Sequence, residues 1–240
     1  EIRELGHQEL VVVKPNMVEG PVLGVATSSF EWRGHKVRTP LLGSFNMFNL
    51  VIVGETLVSL GIEDEVVAQG LGEVRPVKGR MEPLTVQGSD ISVIVDYSHK
   101  PEALAMALEA VRRFSTGRVW VVFGAGGNRD STKRPLMGQI ASELADEIIV
   151  TSDNPRFEEP SEIADQIVGG IEGGTARLKV LLDRAEAIHF AVNHAESGDS
   201  ILIAGKGHET YQLIGNEERP FDDVEVAKQA VRVRVRRSIS

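Results

Sequence analysis

The sequence predicts an α/β protein dominated by a doubly wound, mostly parallel sheet. Five short apolar runs support this: Ile91–Val95, Val119–Phe123, Ile148–Thr151, Val180–Leu182 and Ile201–Ala204, each with the length of a strand buried on both faces. Helical patterns separate them, at 101–114, 134–145, 161–171 and 184–195. Strands that alternate with helices make βαβ units, whose crossovers lay the strands parallel.

In chain order, residues 8–42 read as β-structure, starting with the strand-like Leu10-Val11-Val12-Val13. Ser28 to Val37 alternates around a turn-like centre, Trp32-Arg33-Gly34-His35. Gly43-Ser44-Phe45-Asn46 opens a helix, with Met47, Leu50, Val51, Leu57 and Leu60 at helical spacing. Residues 63–72 suggest a shorter helix, and Val77 to Pro83 a loop. The texture changes at residue 91. The expected boundary is therefore near 84–90, with domains over 1–85 and 90–240. Pro101 and Pro135 suit first helical turns, where an N–H would lack a partner in any case. Ser161, followed by Ala164 and Asp165, suits a capped start.

With 240 residues, 42% of them hydrophobic, the chain can build one large core or two smaller ones. The net charge is −9, and the one basic cluster is Arg232, Arg234, Arg236 and Arg237, read as a solvated end segment rather than a nucleic-acid contact. The absence of cysteine excludes disulfides, thiolate metal sites and a Cys nucleophile. No apolar run reaches bilayer length and no signal peptide opens the chain, so a cytoplasmic protein without membrane insertion is expected. The chain lacks an initial Met and becomes strand-like almost at once, which suggests a fragment of a longer protein.

Four loops follow apolar strands, at the edge where open parallel sheets bind ligands. In Asp96-Tyr97-Ser98-His99-Lys100-Pro101, Asp96 can accept from ribose hydroxyls and His99 can approach a base or phosphate. The same residues also suit a plain strand–helix turn capped by Asp96. Gly124-Ala125-Gly126-Gly127-Asn128-Arg129-Asp130 is not a dinucleotide fingerprint, because Arg129 replaces the third glycine. Its glycines allow close approach to a ligand, and the Arg129 fork can grip a carboxylate; a purely structural loop is the alternative. In Asp153-Asn154-Pro155-Arg156, the proline biases Asn154 toward extended backbone. That leaves Asp153, Asn154 and Arg156 able to share a pocket, although Asn-Pro is also common turn punctuation. In Gly205-Lys206-Gly207-His208-Glu209, the glycines expose N–H groups and Glu209 can accept from an ammonium. These last two loops carry charges of both signs, so their natural ligand is itself of mixed charge, such as an amino acid. A Walker A loop, a Gly-x-Ser-x-Gly elbow and metal-like i, i+4 histidine pairs are all missing from the sequence.

Together, Leu42–Asn49, Gly79–Glu82, Asp96–Pro101, Phe123–Arg134, Thr151–Arg156 and Ala204–Glu209 resemble the Mur ligase family, in family order and over roughly residues 40–225. The Asp-Asn-Pro-Arg form resembles members that add meso-diaminopimelate rather than L-lysine. The resemblance implies a complete C-terminal Rossmann-like domain after the last part of a central α/β ATPase domain. The family's P-loop, magnesium-binding residues and modified lysine would lie upstream. It implies an ATP-dependent amide ligase of peptidoglycan precursor synthesis, with ATP and Mg2+ as cofactors. ATP would phosphorylate the D-glutamyl carboxylate of UDP-MurNAc-L-Ala-D-Glu, and the amine of diaminopimelate would attack the acyl phosphate.

Carried onto this chain, the resemblance implies an amino-acid site of Arg129, Asp153, Asn154, Arg156, Gly205 and Glu209. Arg129 and Arg156 would meet carboxylates; Asp153 and Glu209 would meet ammonium groups. On the nucleotide side, Asn46 and Asn49 resemble adenine-side positions, and Arg80 and Asp96 those near phosphate and ribose, with His99 beside them. The implied partners are small molecules, not nucleic acid, and the implied state is a monomer that is inactive as a fragment. Two alternatives stand beside this: a folate polyglutamate-type ligase, which the Asp-Asn-Pro-Arg and Gly-Lys-Gly-His-Glu loops disfavour, and a non-catalytic amino-acid-binding module.

Overall fold

The computed structural model describes residues 12–171 and 175–239, so Leu10 and Val11 lie outside the described residues. The chain divides into two compact units, one ending at Arg75 and the other starting at Pro76.

In the first unit, β1 (Glu19–Val22), β2 (Ser28–Trp32) and β3 (His35–Thr39) form an antiparallel sheet in that order. The β2–β3 turn falls on Arg33 and Gly34, as the sequence pattern predicts. Both residues have positive φ, 50° and 78°, the handedness that matches the twist of a two-residue hairpin. Two helices follow, α1 (Ser44–Ser59) and α2 (Asp64–Glu73). Phe30, Trp32 and Val37 pack with Met47, Leu50, Val51, Val67 and Leu71 in one core. Glu55 is buried in this unit, gripped by both forks of Arg33 at 2.8 and 2.6 Å and by the Trp32 indole N–H at 2.9 Å.

The second unit is the expected doubly wound α/β layer. Its strands are β4 (Glu82–Pro83), β5 (Ser92–Asp96), β6 (Val119–Phe123), β7 (Glu147–Val150), β8 (Arg177–Val180) and β9 (Ser200–Ala204), in spatial order β4-β5-β9-β6-β7-β8. All neighbouring pairs are parallel except β4–β5. The crossover helices are α3 (Pro101–Phe114), α4 (Lys133–Leu144), α5 (Pro160–Val168) and α6 (Arg184–His194). Val93, Val95, Trp120, Val122, Ile201 and Ile203 share a core with Ala187, Ile188, Ala191 and Val192 of α6. The alternate strand residues Ile94, Val121 and Leu202 are also buried. By the two-residue period of a strand they face the opposite layer, where α3 packs on β6 and β9.

Four features differ from the sequence reading. The unit boundary precedes 84–90, because Glu82 and Pro83 pair with Val95 and Ile94 and so draw the 77–83 loop into the second unit. β8 starts before Val180–Leu182 and is exposed along its length: it is the sheet's edge, with β7 as its single neighbour. A hairpin of β10 (Tyr211–Ile214) and β11 (Glu217–Pro220) follows β9. The basic tail belongs to a helix, α7 (Asp223–Ile239), whose Val224, Ala227, Ala230 and Val231 are buried in the sheet core. Asp222 accepts from the Val224 and Glu225 N–H groups and caps it. Arg234 forks onto Asp90 at 2.8 Å on both arms and donates to the Val192 and Ala195 carbonyls, so it docks the helix rather than facing water. Among the described residues, no helix is long and apolar enough to cross a membrane.

Candidate amino-acid site

The chain steps outward from β6 through β7 to β8, and α6 then returns it to place β9 between β5 and β6. That reversal of strand order opens a crevice beyond the carboxyl ends of the strands. A cavity of about 760 Å³ lies there. Arg129, Asp153, Asn154, Arg156, Gly205 and Glu209 all line it, and so does His99. Lys100, Arg129, Lys133 and Arg156 face the same space as Glu102, Asp130, Asp153 and Glu209, so fixed charges of the two signs balance across it.

The loops are laced to one another before any ligand is considered. The Gly127 N–H donates to the Asn154 carbonyl at 2.9 Å, and Arg156 Nη1 donates to the Gly127 carbonyl at 2.8 Å. A Cβ at residue 127 would lie 1.9 Å from the Pro155 oxygen. This glycine is therefore required for the approach of one loop to the other, where the sequence suggested approach to a ligand. Arg134, fully buried on α4, ties both loops from behind: it donates to Glu158 at 2.8 Å and to the Gly126 carbonyl at 3.1 Å. That pairing, more than any other contact, holds the Glu158 carboxyl below its ordinary range.

The hairpin fastens the Asp153–Arg156 loop residue by residue. Gln212 Nε2 donates to the Asp153 carbonyl, the Leu213 N–H to Asn154 Oδ1, and the Arg156 N–H to the Leu213 carbonyl, at 2.9–3.0 Å. Arg156 itself adopts φ 54°, a left-handed geometry unusual for arginine. Arg129 is exposed and makes no hydrogen bond among the described residues, which leaves its guanidinium available to the cavity.

Behind the cavity lies Lys206, with no exposed surface. Its ammonium donates to Asn154 Oδ1 at 3.1 Å and to Glu209 Oε2 at 3.0 Å, and Asn154 Nδ2 closes the ring onto Glu209 Oε2 at 2.8 Å. Glu209 thus keeps Oε1 for the cavity. Gly205 has φ 118°, and a Cβ there would lie 2.5 Å from Asp153 Oδ2. Its N–H is not offered to a ligand as the sequence suggested; it donates to the Asp96 carbonyl at 3.1 Å.

Of the residues of the second unit assigned to the nucleotide side, His99 lines the cavity and Arg80 and Asp96 do not. The Asp96 carboxylate is buried, accepting from the Met81 N–H at 2.7 Å and from the Ser98 N–H and hydroxyl, which is the turn-capping role the sequence left open. Arg80 stacks over the Tyr97 ring at 4.6 Å, and His99 Nδ1 lies 2.8 Å from the Tyr97 carbonyl. Asn46 and Asn49 belong to the first unit, where Asn46 Nδ2 donates to the Leu42 carbonyl at 2.7 Å and Asn49 is exposed. Among the described residues, no group of three or more His, Asp or Glu is placed to hold a metal ion.

Sequence reasoning gave no role to Lys133, which lines the cavity and donates to the His99 carbonyl at 2.7 Å. Burial holds its ammonium below the ordinary lysine range, against the pull of Asp153 and Asp130. Nor did it assign Lys206 or Arg134 a role. The available signal was placement: each is a cation within a few residues of a strand's carboxyl end or a helix's start.

The family model for "Mur ligase, glutamate ligase domain" matches residues 79–207. The UDP-N-acetylmuramoyl-L-alanyl-D-glutamate–2,6-diaminopimelate ligase of Alkalilimnicola ehrlichii is 51% identical over 94% of this chain, and that of Geobacillus kaustophilus 45% identical over 82%. The chain spans 45% and 40% of their lengths. A solved structure of a ligase of the same name superposes with a TM-score of 0.68 at 35% identity, covering 90% of this chain and 45% of that one. A folylpolyglutamate synthase from Thermotoga maritima shares the fold at a TM-score of 0.58 and 19% identity, covering 78% of this chain and 41% of that one.

Proposed function

This chain belongs to the Mur ligase family, and we propose that it carries the amino-acid site of an ATP-dependent ligase that joins meso-diaminopimelate to UDP-MurNAc-L-Ala-D-Glu in peptidoglycan precursor synthesis. The supporting observation is the convergence of Arg129 and Arg156 with Asp153 and Glu209 on one charge-balanced crevice. Diaminopimelate carries two ammonium and two carboxylate groups, which that set of charges complements. The Arg forks would hold carboxylates in bidentate fashion. Asp153 and Glu209 would take the ammonium of the end that does not react.

The bond-forming step is attack of the other amine on an acyl phosphate of the D-glutamyl group: a C–N bond forms as phosphate departs with its oxygen. ATP is the phosphoryl donor and a co-substrate. The residues of this crevice contribute orientation, by holding the amine so that attack becomes effectively intramolecular. Mg2+ accompanies ATP in this reading, and no step is assigned to it. The reading extends to a cytoplasmic monomer acting on small molecules. Folate polyglutamate ligation has only the shared fold to support it.

Calorimetric titration of the 240-residue chain tests the proposal. Binding of meso-diaminopimelate is expected to be clearly tighter than that of L-lysine. Equal affinities, or a preference for lysine, would reject it.

A further inference from the structure

We infer that Lys206 is a positioning residue that fixes which hydrogen-bonding faces of Asn154 and Glu209 meet the ligand, and so makes this subsite select a free zwitterionic end over one whose carboxylate is amidated. This rests on the amino-acid site proposed above.

An asparagine side chain can turn over and exchange its acceptor for its donor, and what prevents this is the demand its neighbours make. At Asn154 the oxygen accepts twice, from Lys206 Nζ and from the Leu213 N–H. The opposite orientation would set an NH2 group against two donors. The amide is therefore locked with its nitrogen away from Lys206. One N–H of that nitrogen goes to Glu209 Oε2, leaving one more donor. Lys206 also occupies Glu209 Oε2, which leaves Oε1 as that carboxylate's acceptor for the cavity. The result is a donor beside an acceptor, the pattern complementary to the carboxylate and ammonium of an amino acid.

Three observations give Lys206 its part in this order, beside the Leu213 N–H. Its side chain is fully buried, so its charge acts on these partners with little screening. It bridges the two loops that carry Asn154 and Glu209. Its ammonium also lies over the face of Tyr211, 5.7 Å from Nζ to the ring centroid.

The test compares the unaltered chain with Lys206→Met, which keeps length and apolar packing against Tyr211 but removes all three donors. Lys206→Gln serves as a second variant should the first fail to fold. For each, calorimetry gives the affinity for meso-diaminopimelate and for its monoamide, and a thermal melt checks folding. The unaltered chain is expected to discriminate between the two probes, and the variants to lose about tenfold of that ratio while monoamide affinity changes little. Unchanged discrimination in the variants overturns the inference. So does a parallel loss of both affinities, the signature of a purely structural residue. If the unaltered chain takes up neither probe, the amino-acid site itself is wrong and the inference falls with it.

Discussion

Arg184 and Asp223 form a fully buried ion pair, with Nε–Oδ1 and Nη2–Oδ2 both at 2.7 Å. The same guanidinium donates to the Ala204 carbonyl at 3.0 Å and the Ser152 carbonyl at 3.3 Å. Those two residues immediately precede Gly205 and Asp153, so the pair anchors both site loops to α6 and α7. Removing one partner strands a charge in the interior. Asp223→Ala is expected to destabilise the second unit by about 3–5 kcal/mol, read by urea denaturation. Arg184→Met combined with Asp223→Leu should recover most of that loss, because neither charge then remains.

Gly205→Ala tests the contact between the β7 and β9 loops. The added methyl would meet Asp153 Oδ2 at 2.5 Å in a backbone geometry that L-residues disfavour. A loss of about 1–3 kcal/mol in chemical denaturation is expected, together with weaker diaminopimelate binding. Unaltered binding would show that Asp153 does not need its present position.

At Arg156 the positive φ permits a glycine substitution that removes the guanidinium, together with its bond to the Gly127 carbonyl. Arg156→Gly keeps the left-handed backbone at ease while removing the guanidinium. The affinity for meso-diaminopimelate should fall by about 2–5 kcal/mol, the range for one partner lost from a buried charge pair, while L-lysine is affected much less. Calorimetry with both amino acids reads the change in preference.

The first unit carries a distinct acid sensitivity. The hydrogen bonds from Arg33, aided by the Trp32 N–H and opposed by burial, hold the Glu55 carboxyl below its ordinary 4.5. A carboxyl depressed by folding stabilises the fold fully above its unfolded value, and that contribution fades as pH falls through the folded value. Stability of the first unit should therefore drop below about pH 4.5, and Glu55→Gln should flatten that part of the profile. The indole N–H signal of Trp32, followed by NMR through an acid titration, reports on this unit alone.

The second unit's parallel strands were legible because each is a short apolar run that ends where a helical pattern begins. The hairpin at 28–39 was legible from alternation around Arg33-Gly34. β8 was misplaced because Val180-Leu181-Leu182 is the most apolar run there, whereas the strand is Arg177–Val180, an edge strand that solvent reaches. α7 was missed because its buried positions include two alanines and are followed directly by four arginines, which hides the stripe. The six amino-acid residues were assigned by the family resemblance, and the rule that ligands bind beyond strand ends is consistent with their lining one crevice. Which loop contacts were already spent within the protein was not legible. Hydrogen-bond partners such as Gly205 with Asp96, or Lys206 with Asn154, are set by tertiary packing between segments far apart in sequence.

The place of β9 carries a consequence for biogenesis. It lies between β5 and β6, yet residues 97 to 199 are made before it emerges from the ribosome. Until then the nascent sheet has a vacant central slot, and the inner edges of β5 and β6 stay unsatisfied. Closure depends on an insertion over long sequence separation, an inherently slow event. A folding helper that shields those two edges would act on this unit before β9 is available to fill the slot.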